Sequence, residues 1–246
     1  MERRTFLAGG IGAAARAAAQ QPAAPAAARP NVIWILGDQL RAQALGCAGD
    51  PNATTPNLDA LAAQGVRFSS AVSGMPLCCP FRGSMLTSRY PHHCVPGHEF
   101  PLPAGQPTIA NVFNDAGYHT AYFGKWHLGG FHESQGRAAM FIVPPDRRGG
   151  FTTWTGYENN NSQYDTWVHG GQGKDAFHYR LPGYETDELT NLLIGHIKER
   201  AAARDGKPFF AALSVQPPHN PYVAPAEFMR HYAPGRIALR ANVPDV

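Results

Sequence analysis

The sequence is poor in cysteine and contains no long apolar run of the kind found in membrane proteins. Its four cysteines are Cys47, Cys78, Cys79 and Cys94. They match no CxxC zinc pattern and are too few for a disulfide scaffold. The adjacent pair Cys78 and Cys79 lacks the spacer residues of thiol-redox motifs, so a thiol-redox protein is the least favoured functional class. No stretch after residue 29 approaches the ~20 apolar residues that cross a bilayer, and no membrane span is predicted there.

Charge is also scarce, at 16% of the residues. The formal net charge of +3 comes from residues 1–29, where four arginines stand against the single acidic residue Glu2. In the rest of the chain, basic and acidic residues are equal in number. No basic field is left to attract nucleic acid, so nucleic acid is excluded as a partner.

Residues 1–29 are typical of a targeting segment. Arg3 and Arg4 precede a weakly apolar stretch and a run of alanine and proline. This order suits an export signal, and the run from Arg3 to Leu7 resembles a bacterial twin-arginine signal. Cleavage after Ala19 or after Ala28 fits equally well, and a disordered basic tail is the alternative. We therefore expect the export machinery as a partner and a periplasmic or secreted location.

The rest of the chain alternates between strand and helix patterns. Apolar, β-branched runs predict strands at 31–36, 66–72, 118–123 and 209–215, with Gly124 ending the third. Capping residues and apolar spacing predict helices at 55–65, 79–89, 108–115 and 185–203. This alternation indicates an α/β fold with a largely parallel sheet flanked by helices. Ligands in such folds bind beyond the carboxyl ends of the strands, where Asp38, Lys125 and His219 are expected.

Residues 128–184 are rich in glycine, asparagine, proline and aromatic residues and show little periodicity. They are predicted to form a long loop or insertion. Its aromatic side chains suit either stacking on a sugar or aryl ring or packing of the loop onto the core, and packing is favoured for most of them. These side chains are Trp154, Tyr157, Tyr164, Trp167 and His169.

The most informative segment is CCPFRGSMLTSR at residues 78–89. Pro80 is favoured in the first turn of a helix, and a helix N-terminus offers free N–H groups and a positive dipole to an anion. Arg82 follows Cys78 by about one helical turn, so its guanidinium can reach back toward it. The pattern Cys-x-Pro-x-Arg with its Leu-Thr-x-Arg ending resembles the signature of the type I sulfatases, with Cys79 at a variable position.

This resemblance implies a reaction and a covalent modification. In that family the first cysteine, here Cys78, is oxidised by a formylglycine-generating enzyme to formylglycine, an aldehyde that hydrates to a diol. One diol oxygen attacks the sulfur of a sulfate ester and the alcohol leaves. The other oxygen then expels sulfate, a step that a serine could not perform. The expected function is sulfuric ester hydrolysis, in an alkaline-phosphatase-like fold.

Two later segments strengthen the resemblance. GYHTAYFGKWHLG at residues 117–129 resembles the second sulfatase signature, and PPHNPY at residues 217–222 resembles the Pro-His-x-Pro turn of the family. The resemblance implies that Lys125 holds a sulfate oxygen and that His127 orients or deprotonates the diol. It also implies that His219 contacts sulfate or protonates the leaving oxygen. Taken alone, these residues would equally suit a surface lysine and two structural histidines.

The resemblance further implies a divalent metal ion held by Asp38, Gln39 and the oxygen derived from Cys78. The family commonly has two aspartates here, and this chain has Asp38 followed by Gln39. A hard cation accepts carboxylate and amide oxygens alike, so calcium is expected first, with magnesium or manganese as alternatives. The other interpretation of Gln39 is that its amide hydrogen-bonds to a metal ligand instead of binding the ion itself.

Further metal ligands and a second lysine come from a later segment in this family, and nothing after His219 matches them. We therefore expect residues 30–246 to form a truncated N-terminal catalytic domain that by itself lacks sulfatase activity. Two alternatives stay open. One is a phosphonate or phosphodiester hydrolase of the same superfamily, which the Asp38-Gln39 pair permits. The other is an inactive, binding-only remnant.

Overall fold

The computed structural model describes residues 29–240 and 242–243. The export signal predicted over residues 1–29 therefore lies almost wholly outside the described residues. Six strands are present, namely β1 Val32–Gly37, β2 His119–Lys125, β3 Thr153–Tyr157, β4 Trp167–Gly170, β5 Phe177–Arg180 and β6 Phe209–Val215. The α-helices are α1 Pro56–Gln64, α2 Cys78–Thr87, α3 Pro91–Cys94, α4 Ile109–Asp115, α5 Glu185–Ala203 and α6 Ala226–Met229. Within the described part of the chain, no helix is long and apolar enough to cross a membrane.

The strands form one sheet in the order β1-β6-β2-β3-β4-β5. The first four are mutually parallel, and β4 and β5 are antiparallel additions at one edge. The α/β prediction with a largely parallel sheet is confirmed. The carboxyl ends of β1, β6, β2 and β3 therefore share one edge of the sheet, as expected for a ligand site.

Alternating residues of the central strands build two cores. From β2, Tyr122 packs with Phe210 and the helix residues Cys79 and Leu86 on one face. On the other face, Phe123 packs with the α5 residues, chiefly Leu189 and Leu193, as period-two alternation requires. The result is a three-layer arrangement in which α2 and α4 cover one face and α5 covers the other.

The two most clearly bounded helix predictions are confirmed. Helix α5 occupies the predicted range 185–203 and buries Leu189, Leu193 and His196. Helix α4 begins after Thr108, whose side chain accepts the N–H of Ala110, while Asn111 accepts the N–H of Thr108. This reciprocal cap satisfies N–H groups that a helix start leaves free, so the first turn is fixed by local sequence.

The strand predicted at 66–72 is absent from the structure. Val66, Phe68 and Val72 are instead 84%, 80% and 89% exposed in an irregular segment. β-Branched residues form a strand only where a neighbouring strand pairs with them, and no described strand lies against this segment. By contrast, β1 is formed but pairs only with β6, and it leaves Ile33 and Ile35 largely exposed at the edge of the sheet.

Gly124 was expected to end its strand, and this prediction is wrong. β2 continues through Gly124 to Lys125 and pairs with Ser214 on one side and Gly156 on the other. Gly124 has φ +102°, and a Cβ there would lie 2.1 Å from the carbonyl oxygen of Ser214. Glycine is therefore required because two backbones approach too closely for a side chain, not because the strand breaks.

The interpretation of residues 128–184 as a loop is wrong in part. The segment supplies β3, which extends the parallel sheet, and the β4–β5 pair. These strands contain only four or five residues each, too few to show a period. Trp154, Tyr157 and His169 are buried, as the packing interpretation expected, whereas Tyr164 is 44% exposed.

The burial of His169 leads us to expect that the folded protein loses stability in acid. It is fully buried, and its Nε2 accepts the N–H of Val143 at 2.8 Å. Burial, helped by the charge of Arg148, lowers the pKa of His169 to about 3. The unfolded chain binds this proton below pH ~6.5 and the folded chain does not, so stability is full above that pH and falls toward pH 3.

Between pH 6.5 and 5 the free energy of unfolding should fall by about 2 kcal/mol through His169 alone. Urea unfolding at a series of pH values measures this slope. His169→Gln should make the slope shallower, and the contributions of the other buried histidines should remain, among them His196, whose pKa burial lowers to about 4, and His127, whose pKa burial lowers well below its usual value. The exposed His231→Gln is the control. An unchanged slope in His169→Gln would contradict the assignment.

Candidate active site at the carboxyl edge of the sheet

The residues that follow β1, β2 and β6 meet at one cavity. Asp38 comes directly after β1, and its N–H donates to the carbonyl of Val215 at the end of β6 at 3.1 Å. Lys125 is the last residue of β2, and His219 follows β6 through a short turn. The cavity is lined by residues from four places in the sequence, including Asp38, Gln39, Cys78, Arg82, His98 and His219.

Two buried cations hold Asp38. The Nζ of Lys125 lies 2.6 Å from Oδ2 of Asp38, and Nη2 of Arg82 lies 3.5 Å from the same oxygen. Lys125 is fully buried and Arg82 is 3% exposed. Burial opposes ionisation of Asp38, but the charges of Arg82 and Lys125 outweigh it and hold the pKa of this carboxyl below its usual value. The group of three carries one excess positive charge, which suits an anionic ligand.

Arg82 also joins helix α2 to the sheet. Its Nη1 donates to the carbonyl oxygen of Lys125 at 2.7 Å and to Oγ of Ser214 at 2.8 Å. Despite burial, the oxygens around it, including those of Tyr122 and Asp38, raise the pKa of Arg82. Arg82 was predicted to reach back toward Cys78. In the structure its guanidinium reaches the ends of β2 and β6 and also Asp38, whose carboxylate the Sγ of Cys78 approaches.

Cys78 and Cys79 have different surroundings. Cys78 is the first residue of α2, and its Sγ lies 3.9 Å from each oxygen of Asp38. Cys79 points into the core, where it is fully buried and accepts the N–H of Glu99 at 3.3 Å. Burial raises the pKa of Cys79 to about 12, so it stays a thiol at neutral pH. Only Cys78 faces the cavity.

His127 lies beside the cavity in a second cluster. It is 2% exposed with φ +53°, and its ring meets that of His98 edge to face, with centroids 5.2 Å apart. Burial, with the charges of Lys125 and Arg82, lowers the pKa of His127 well below its usual value. Neither ring nitrogen has a hydrogen-bond partner among the described residues. His127 is thus a neutral base with both nitrogens free for a ligand.

The structure therefore brings six of the predicted site residues together. One atom each from Asp38, Cys78 and His219 lie within 4.8 Å of one another. Gln39 has φ +61° and lines the same cavity as Asp38. His127 lies next to this group, in contact with His98.

Sequence reasoning missed His98 and Ser214. His98 lines the cavity from an irregular segment that has no periodic pattern to mark it. Ser214 reads as one more residue of a buried strand, and only the pairing of β6 beside β2 places its hydroxyl against Arg82. Neither residue carries a local signal, because each gains its position from chain segments far away in sequence.

Residues 30–241 match the family model described as Sulfatase. The chain belongs to the sulfatase family. It is 37% identical over 231 residues to the ulvan-active sulfatase of Formosa agariphila, covering 87% of this chain and 40% of that protein. The structure superposes on the crystal structure of a candidate sulfatase, yidJ, from Bacteroides fragilis with a TM-score of 0.72 and 27% identity, covering 82% of this chain and 47% of the other.

This member of the sulfatase family spans less than half the length of those two proteins. Its fold is also shared with the phosphonate monoester hydrolase of Agrobacterium radiobacter, with a TM-score of 0.59 over 86% of this chain and 45% of that one. The identity there is 23%, so the likeness concerns the fold alone.

Proposed function

We propose that this chain carries the nucleophile and the anion-binding residues of a sulfuric ester hydrolase. The observation that supports this best is the position of Cys78 at the start of α2, beside a buried group with one excess positive charge. Arg82 and Lys125 supply that charge, and free N–H groups of the helix start add to it. A sulfate monoester entering the cavity would be attracted by the net positive charge of this group, in which the carboxylate of Asp38 is already balanced by one of the two cations.

Each histidine suits a different proton transfer. His127 is neutral and has free ring nitrogens, so it is suited to accept a proton from a nucleophile at position 78. His219 lies in a turn at the mouth of the cavity, with Nδ1 2.6 Å from the carbonyl oxygen of Asn220. That contact orients the ring and leaves Nε2 for the oxygen of the departing alcohol. Lys125 would hold a sulfate oxygen as a compact cation.

Formylglycine at position 78 would supply a hydrated aldehyde, a nucleophile that can be regenerated after sulfate is released. The surroundings of Cys78 fit this modification because its side chain faces the cavity, whereas that of Cys79 is buried in the core. A divalent cation would neutralise charge on the sulfate and orient the nucleophilic oxygen. Asp38 and Gln39 offer the oxygen ligands that calcium prefers, with magnesium or manganese as alternatives.

We infer a formylglycine-generating enzyme as a partner, and co-expression with it tests the modification. Mass spectrometry of the peptide containing residues 78–82 should then show the aldehyde in place of one thiol. Fragmentation should place the change at Cys78 and leave Cys79 intact. Cys79→Ser is the matched control and should still be modified. A Cys78 that keeps its thiol under these conditions would exclude the proposal.

The activity itself is tested in the protein that contains this chain. Turnover of an aryl sulfate and of a phosphonate monoester, each with added calcium, magnesium or manganese, separates the two reaction classes. Ulvan is the first natural substrate to test, given the relative from Formosa agariphila. We expect sulfate release that disappears in Cys78→Ala. Faster turnover of the phosphonate ester would instead favour a phosphonate hydrolase, and no turnover of either would favour an inactive remnant.

A further inference from the structure

A cluster of soft ligands lies on the core side of the proposed active site. It consists of Cys79, His98 and His127, and we call it the Cys79 cluster. One potential ligand atom from each residue lies within 4.8 Å of the other two. The Sγ of Cys79 is 3.9 Å from Nδ1 of His98. The three residues come from α2, from the segment before Leu102 and from the end of β2, so tertiary structure alone brings them together.

The ligand atoms of this cluster are free to bind. His127 is 2% exposed, yet both of its ring nitrogens lack a hydrogen-bond partner among the described residues. Leaving such a buried polar side chain unpaired is destabilising, so a ligand that satisfies it is favoured. Cys79 forms no disulfide, and its Sγ accepts the N–H of Glu99 and otherwise contacts only Nδ1 of His98, another member of the cluster. His98 is exposed, so its ring can rotate and it provides a route from solvent.

We propose that the Cys79 cluster binds zinc and that zinc there inhibits the enzyme. One thiolate and two imidazoles form a set that prefers zinc to calcium, whereas Asp38 and Gln39 offer only oxygen. On binding, the thiol of Cys79 releases its proton to solvent as the sulfur–zinc bond forms. Water would occupy the fourth position. The inhibitory consequence rests on the proposed function, because His127 cannot hold zinc and accept a proton from the nucleophile at the same time.

The geometry requires only a small adjustment. Zinc bonds of about 2.3 Å to sulfur and 2.0–2.1 Å to nitrogen place tetrahedral ligands roughly 3.3–3.6 Å apart. The present distance of 3.9 Å between Cys79 and His98 is close to that range. Rotation of the exposed His98 ring can shorten its distance to Cys79, and the ligand atoms of Cys79 and His127, which lie within 4.8 Å of each other, would have to move closer by small side-chain rotations. Position 79 is variable in the sulfatase signature, so this site is a property of the present sequence rather than of the motif.

Cobalt(II) and zinc titrations of the 246-residue chain test the proposal. The Cys78→Ser background removes the other thiol near the cavity. Cobalt should give a thiolate charge-transfer absorption that zinc abolishes at one equivalent and calcium does not. Cys79→Ser should remove this absorption and weaken zinc binding at least ten-fold, as should His98→Ala. Cys94→Ser, which changes another buried cysteine, and Asp38→Asn, which changes the oxygen ligands, should leave binding unchanged.

Far-UV circular dichroism of each variant checks that it is folded. Cobalt absorption or tight zinc binding that survives Cys79→Ser would overturn the proposal, as would the absence of zinc binding in the parent chain. This readout needs no sulfate hydrolysis, so failure of the zinc site is told apart from failure of the proposed function. In the active protein, Cys79→Ser should lower sensitivity to zinc at least ten-fold. Equal inhibition of both forms would overturn the inhibitory role.

Discussion

Arg82→Ala should lower the free energy of unfolding by about 3–5 kcal/mol, because it breaks a buried, hydrogen-bonded ion pair. The side chain is 3% exposed and bonds to the carbonyl of Lys125 and the hydroxyl of Ser214. Its removal takes one donor from each of these oxygens, although the hydroxyl of Tyr122 still donates to the carbonyl of Lys125, and it leaves Asp38 with one cation fewer. Urea unfolding, followed by far-UV circular dichroism, measures the loss. In the protein that contains this chain, turnover of a sulfate ester should also fall, by at least ~100-fold.

Two further variants separate the contributions of Arg82. Arg82→Lys keeps the charge but loses the planar fork that reaches two acceptors at once, so stability should recover only in part. Arg89→Ala, at an exposed residue just beyond the same helix, should change stability by less than ~0.5 kcal/mol. A loss below 1 kcal/mol in Arg82→Ala would mean that the guanidinium does not join α2 to the sheet as described.

Lys125→Met should lower turnover of a sulfate ester by at least ~100-fold in the protein that contains this chain. Methionine keeps much of the length of the side chain and removes its charge. The site would then have one cation for Asp38 and for a bound sulfate together, where it now has two. The excess positive charge that favours the anion would be lost.

Steady-state kinetics measures this effect, and urea unfolding shows whether the variant is still folded. Lys207→Met, at an exposed lysine, is the matched control and should keep wild-type kinetics. Turnover of Lys125→Met within a few-fold of the parent, with the fold intact, would remove Lys125 from the catalytic group. Its role would then be confined to the ion pair with Asp38.

The parts of the fold that were predicted correctly carry their own local signal. The range of α5 follows from its apolar spacing, and the start of α4 from the capping residues Thr108 and Asn111. β6 is an apolar run interrupted only by Ser214. Each of these signals lies within a few residues of the element it specifies, so no knowledge of tertiary contacts is needed.

The missed parts depend on contacts between distant segments. The run at 66–72 has the composition of a strand but no neighbour to pair with, whereas β3 has a neighbour but too few residues to show a pattern. The same distinction between local signals and long-range contacts applies to the residues of the candidate active site. Topology alone predicts that Asp38, Lys125 and His219 come together, since each follows a parallel strand. The cross-link from Arg82 to Ser214 and the position of His98 follow only from packing.

Strand β1 lies at the edge of the sheet and leads directly to the candidate active site. This strand pairs with β6 alone and exposes Ile33 and Ile35, and Asp38 follows it directly. The other edge of β1 presents backbone N–H and C=O groups that no described strand pairs, and such an edge is a template for a further strand. β1 therefore joins two surfaces: its end positions the acid of the site, and its side offers unpaired backbone groups to another polypeptide segment.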